Sequence, residues 1–215
     1  PATVVRKRKN SSMMIGLKML ADGMGDAFVS AGSTGALLMG GTFIVKRIKG
    51  VSRPALAPIM PSDKEPYMLI DCGANADCRP EMLVQFAHMG SAFMKKMYGL
   101  EAPRVGILNN GEEEHKGTEL QQATYKRLAA REGLNFVGNV EADLIPYDAC
   151  DVLVTDGFSG NILLKSIEGM GKFLMGTLKD VLANLNSTAT GSLEAGKSAE
   201  VTLALKMQES AGNEY

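Results

Sequence analysis

Lys116 stands in the run Glu113-Glu114-His115-Lys116-Gly117-Thr118-Glu119-Leu120, two residues before a threonine suited to cap a helix. An ammonium there can hold an oxyacid as a point charge or stabilise a developing oxyanion. The plainer alternative is a solvated lysine in a charged loop. Asn161 closes Asp156-Gly157-Phe158-Ser159-Gly160-Asn161 and opens the last long helical pattern. Its amide either donates to an oxyanion or phosphate oxygen, or simply caps that helix. Ser33, Thr34 and Gly35 form a nest-like turn at a helix start, which suits phosphate or is only a tight connection. Asn75 and Asp77 either orient loops around a ligand or close Asx turns. Asp156 and Gly160 complete the set of candidate substrate- and phosphate-binding residues.

Other chemistry-bearing residues read as bystanders. His115 can shuttle a proton beside Lys116, although a surface histidine among acids is the simpler reading. Cys72 and Cys78 lack the partners of a zinc site and read as small buried hydrophobes, so no metal or cofactor is expected. Gly191-Ser192-Leu193-Glu194-Ala195-Gly196-Lys197-Ser198 satisfies the P-loop pattern, but no buried strand precedes it. Two basic clusters, Arg6–Lys9 and Lys46, Arg47, Lys49, Arg53, read as solvated faces or as docking points for an acidic protein.

The elements that must position these residues alternate. Four times a short apolar run breaks into a Gly/Asn/Ser/Asp-rich loop and restarts as an amphipathic helix, at 28–35, 69–77, 107–111 and 154–161. Strands are predicted at Ala27–Ser30, Tyr67–Ile70, Val105–Leu108, Phe136–Val140 and Val152–Thr155. Helices are predicted from Ser11 or Ser12 to Gly23, over Leu37–Ile48, from Pro80 to Gly99, from Thr118 to Gly133 and from Asn161 onward. In that last helix Leu163, Ile167, Met170, Leu174, Leu178 and Val181 share one face. Pro54–Pro61 suits an edge strand or an extended connection. This alternation predicts an α/β protein with a mostly parallel sheet covered on both faces. Such a sheet gathers its βα junctions at one edge, where ligands bind.

The 215 residues divide into an α/β domain over 1–183 and a polar Ser/Thr/Ala/Gly-rich tail over 184–215. A net charge of −1 gives no global attraction to nucleic acid, and 45% hydrophobic content is ordinary for a globular protein. Three cysteines without framework spacing favour a reducing compartment, so a cytoplasmic location is expected. The chain opens at Pro1 on a run like the middle of a domain, so further N-terminal sequence is expected.

Taken in order, several motifs resemble one family. They are Lys9–Met13, Ser30–Ala36, Arg47–Gly50 with Arg53–Ala57, Asp71–Cys78 with Pro80-Glu81, Glu113–Leu120, Phe136–Glu141 and Asp156–Asn161. Together they resemble the bacterial acyl-carrier-protein:phosphate acyltransferases of phospholipid synthesis, over about residues 4 to 182. The resemblance implies transfer of a fatty acyl group from acyl carrier protein to inorganic phosphate. It implies a three-layer α/β/α fold like that of isopropylmalate and isocitrate dehydrogenases. It also implies a homodimer with peripheral contact at the inner membrane face. Lys116 and Asn161 fall on the family's leading candidates for essential residues. The family's Asp-Ala-Met-Gly-Gly-Asp loop and its C-terminal hairpin and Gly-rich region have no counterpart here, so the chain resembles an N- and C-terminally incomplete member.

Overall fold

The computed structural model describes residues 10–188. The basic run at Arg6–Lys9, the P-loop-like motif and the polar tail beyond residue 188 lie outside the described residues. Contacts divide the chain into two compact units between Gly169 and Met170.

The first unit is built on a five-stranded sheet. Its strands are β1 (Ile59–Met60), β2 (Tyr67–Ile70), β3 (Arg104–Asn109), β4 (Asn135–Glu141) and β5 (Val152–Val154). They lie in the order β1-β2-β5-β3-β4, parallel except for the antiparallel edge strand β1. The proline-flanked 54–61 segment supplies that edge, where a missing N–H costs least. Ile70, Val154 and Ile107 stand in one row across β2, β5 and β3.

The two central strands are apolar without alternation because both their faces are covered. Met68, Ile70, Val152 and Val154 meet Leu83, Phe86 and Leu128 on one face. Those side chains come from helix α3 (Pro80–Tyr98) and helix α4 (Glu119–Ala129). Tyr67, Leu69 and Leu153 point to the other face, where Leu163, Leu164 and Ile167 of helix α5 (Gly157–Thr188) cover them. The result is the expected α/β/α layering. Val152, Leu153 and Val154 are fully buried, each worth about 1.5–3 kcal/mol relative to exposure.

Local signals set most ends. Pro80 occupies the first turn of α3, and Gly99 ends it at φ 72. Thr118 and Gln121 form a capping box on α4.

Three expectations need correction. Ala27–Ser30 pairs with no strand: the segment is irregular, and Val29 is almost wholly exposed. It belongs to a helical cluster of α1 (Ser12–Ala21), α2 (Thr34–Gly40) and a π-helical turn at Gly41–Val45, so the predicted 37–48 helix ends at Val45. Helix α5 begins at Gly157, not Asn161. Its apolar face is covered only as far as Ile167. Met170, Leu174, Leu178 and Val181, on the face they share with Leu163 and Ile167, are 41–57% exposed.

Candidate functional site

The site is assembled at the carboxyl edge of the parallel strands. β2 ends at Ile70, and the chain turns at Asp71 through a cis peptide. The Asp71 carboxylate is fully buried and accepts four hydrogen bonds. Oδ1 takes the N–H groups of Leu56 at 2.9 Å and Ala74 at 3.1 Å. Oδ2 takes the Asn75 N–H at 2.7 Å and its Nδ2 at 2.9 Å. Asn75 also donates Nδ2 to the Pro54 carbonyl at 2.8 Å and accepts from the Gly157 N–H at 2.8 Å. Asn75 thus joins three segments and orients the 71–78 loop. Asp77 is exposed in the same loop.

β5 leads into Thr155 and Asp156. The Asp156 carboxylate caps α5. Oδ1 accepts the N–H groups of Phe158 at 3.0 Å and Ser159 at 2.8 Å, and Oδ2 accepts the Ser159 hydroxyl at 2.8 Å. Asp156 therefore does the capping that is one of the two alternatives for Asn161. Gly160 makes this docking possible: a Cβ there would stand 2.0 Å from the Asp71 carbonyl oxygen. Asn161 is exposed beside Gly73, where a built Cβ would lie 3.4 Å from its Nδ2.

Lys116 lies on the loop after β3, on the same edge. Two strand spacings, about 10 Å, separate the backbones of β2 and β3. The Lys116 side chain is 40% exposed and 3.9 Å from Glu113 Oε2. Asn139 of β4 reaches the same loop, donating Nδ2 to the Glu113 carbonyl at 2.8 Å. Its Oδ1 is buried with no partner. Leaving a buried acceptor unpaired costs about 1–3 kcal/mol.

Asn75, Asp156, Gly160 and Asn161 are thus brought together, with Lys116 further along the edge. Ser33, Thr34 and Gly35 belong to the N-terminal helical cluster. All three are exposed, and Ser33 caps α2 by accepting the Ala36 N–H at 3.4 Å. The hydrogen bonds of Ser33 stay inside the N-terminal helical cluster.

Asp71, Asn109, Gln122 and Asn139 were missed as site residues. Asp71 carried a signal, an aspartate closing an apolar strand just before a small-residue loop. The amides carried none, because their partners are set by the fold.

The thiols are buffered against reaction. Burial raises Cys72 and Cys78 to about 11 and Cys150 to about 12. Among the described residues no group of three or more His, Cys, Asp or Glu is placed to hold a metal. A cavity of about 280 Å³ sits at the opposite edge, against Pro103, Gly133 and Asn135 at the amino ends of β3 and β4. Its only charged lining residue is Lys95, and ligands of parallel sheets bind at the other edge.

Over residues 1–210 the chain matches the family described as fatty acid synthesis protein, and it belongs to that family. Its relatives there are phosphate acyltransferases. It is 47% identical over 193 residues to the phosphate acyltransferase of Caldicellulosiruptor bescii and 49% identical over 193 residues to that of Clostridium novyi. Each match covers 90% of this chain and 58% of the relative. The chain thus spans little more than half the length of the curated relatives it matches. In structure it is similar to the EutD phosphotransacetylase from Staphylococcus aureus, with a TM-score of 0.54 at 20% identity, over 80% of this chain and 62% of that one. A branched-chain phosphotransacylase from Enterococcus faecalis gives 0.53 at 16% identity, over 74% and 65%. These two likenesses establish a shared fold.

Proposed function

We propose that the protein transfers a fatty acyl group from acyl carrier protein to inorganic phosphate, with Lys116 and Asn161 as its catalytic residues. The observation that supports this is the common edge: the Asn161 turn follows β5 and the Lys116 loop follows β3, and these two strands are direct neighbours in one parallel sheet. A phosphate oxygen attacks the thioester carbonyl carbon, the C–S bond breaks, and the phosphate proton ends on the departing thiolate. The products are an acyl phosphate and a free carrier thiol. Thiolate is a good leaving group, so holding phosphate and stabilising the carbonyl oxyanion dominate the barrier. Lys116 holds the phosphate. Asn161 donates its amide to the oxyanion or to a phosphate oxygen. Asn75 and Asp156 fix the turns around Asn161, Gly160 lets those turns meet, and Asp77 lies exposed beside them. The Ser33-Thr34-Gly35 turn is a further phosphate contact in this reading.

The test uses the full-length protein carrying this chain. Lys116→Ala and Asn161→Ala should each lower kcat/KM for acyl-phosphate formation about 100-fold or more, with unchanged circular dichroism and melting. Near-normal turnover by either variant removes that residue from the mechanism. A second reading, a phosphate acetyltransferase acting on short acyl-CoA, draws on the two fold neighbours. Comparing long-chain acyl carrier protein with acetyl-CoA as donor separates the two. A third is a fragment that binds phosphate or dimerises without turnover. The exposed apolar residues of α5 beyond Met170 supply a surface for homodimerisation or peripheral contact at the inner face of the membrane. No helix among the described residues is long and apolar enough to cross a membrane. Cytoplasmic residence remains part of this proposal.

A further inference from the structure

Three side-chain amides from three different elements converge on the Lys116 loop. Asn139 of β4 donates to the Glu113 carbonyl at 2.8 Å and lies 3.5 Å from that of Glu112. Asn109, the last residue of β3, donates to the Lys116 carbonyl at 3.2 Å. Gln122, in the first turn of α4, donates to the carbonyls of His115 at 2.7 Å and Gly117 at 3.2 Å. The loop's carbonyls are therefore turned towards fixed donors.

In a planar trans peptide the next residue's N–H points away from the carbonyl. The clamp thus turns the N–H groups of Glu113, Glu114 and Gly117 to the opposite side. Among the described residues none of these three has an acceptor. The Lys116 N–H, by contrast, is taken by the Glu113 carbonyl at 3.0 Å, and the Thr118 N–H by Gln121 Oε1 at 3.1 Å. Gly117 holds φ +82, a conformation that lets successive N–H groups converge. Asn139 adds a second argument. Its Oδ1 is buried and unpaired, so the residue works against stability at that atom. A leucine there would remove that penalty and also remove the clamp.

We propose that Asn109, Gln122 and Asn139 are positioning residues, which hold the loop so that its free N–H groups and the Lys116 ammonium receive one phosphate. This rests on the phosphate acyltransferase reading. The clamp sets phosphate affinity rather than the fold.

The test compares Gln122→Met and Asn139→Leu with the parent in the full-length protein. Gln122 lies on a half-buried helix position, and methionine matches its length and helix propensity. Amide hydrogen exchange at Lys116, whose N–H is bonded to the Glu113 carbonyl, should quicken about tenfold in both variants. KM for phosphate should rise about tenfold, with KM for the acyl donor and the melting temperature unchanged. Gln122→Lys, which restores a donor, should recover phosphate KM. Adding Gln122→Met to Lys116→Ala should cost nothing further if both act on one phosphate. Unaltered exchange, unaltered phosphate KM, or a rise in both KM values together with lower melting would overturn the proposal. Should Asn139→Leu fail to fold, Gln122→Met decides the matter. No acyl-phosphate formation by the parent protein would instead defeat the functional reading, and the exchange measurement would still judge the clamp; full activity in Lys116→Ala would overturn the shared role given to its ammonium.

Discussion

Asp71 is where a single side chain does most to shape the site. A carboxylate offers about four lone-pair positions, and here each meets an N–H from the segments that must converge. Asp71→Asn keeps the shape but turns an NH₂ towards backbone donors. Charge-assisted bonds of this kind are worth about 1.5–3 kcal/mol each, so we expect a loss of about 3 kcal/mol in urea unfolding. An unchanged midpoint would mean that the loop finds other partners. The thiols give a milder test at the same scale. Burial holds all three above their usual range, so a thiol reagent at pH 7.5 should label the native protein slowly and the unfolded protein at once. Rapid labelling of the folded protein would contradict that burial.

The helices depend on how closely their first turns approach the strand ends. At Gly160 a methyl group would meet the Asp71 carbonyl at 2.0 Å and Thr155 Cγ2 at 2.7 Å. Gly160→Ala must displace α5 from the sheet edge, at an expected cost of about 2–3 kcal/mol, with loss of activity because Asn161 moves too. Gly169 sits on the same helix with nothing within 4 Å of a built Cβ. There Gly169→Ala should stabilise by about 0.5–1 kcal/mol. Thermal melts of the pair check both signs, and equal shifts would refute the close-approach argument. The contrast also explains what the sequence made legible. β2, α3 and β3 were readable nearly to the residue, since buried central strands are apolar runs and Pro80 and Gly99 punctuate the chain. The start of α5 was not, because Gly157-Phe158-Ser159-Gly160 has the composition of a loop and only the Asp156 cap makes it a helix. Ala27–Ser30 failed because an apolar run becomes a strand only beside a partner. Lys116 and Asn161 stood out through long motifs, whereas Asn139 acts on Glu113 across 26 residues and has no local signature.

Across the whole molecule the parallel strands separate two tasks. Their carboxyl edge carries the candidate site, and their amino edge is tied by charge. Arg104, first residue of β3, donates Nη2 to Asp148 Oδ1 at 2.5 Å and to Asp151 Oδ1 at 2.7 Å. Its Nη1 meets the Asp148 carbonyl at 2.8 Å. The hydrogen bond from Arg104, ahead of the opposing effect of burial, holds the Asp148 carboxyl below the usual range. A carboxyl depressed by folding adds stability above its unfolded value of about 3.9, and that stability is lost as pH falls through the lower folded value. Arginine stays charged throughout, so the carboxyl alone sets the pH window. Arg104→Met should therefore lower stability at pH 7 by about 1–2 kcal/mol, a figure kept small because the Arg104 side chain is 35% exposed. As pH falls through the lowered Asp148 value the parent loses that carboxylate partner and the two proteins should converge. Urea midpoints at pH 7 and pH 3 measure the gap directly. A gap of equal size at both values would show that Arg104 acts through packing of its alkyl stem. The ion pair would then have no part in holding the amino edge, opposite the edge that carries the candidate site.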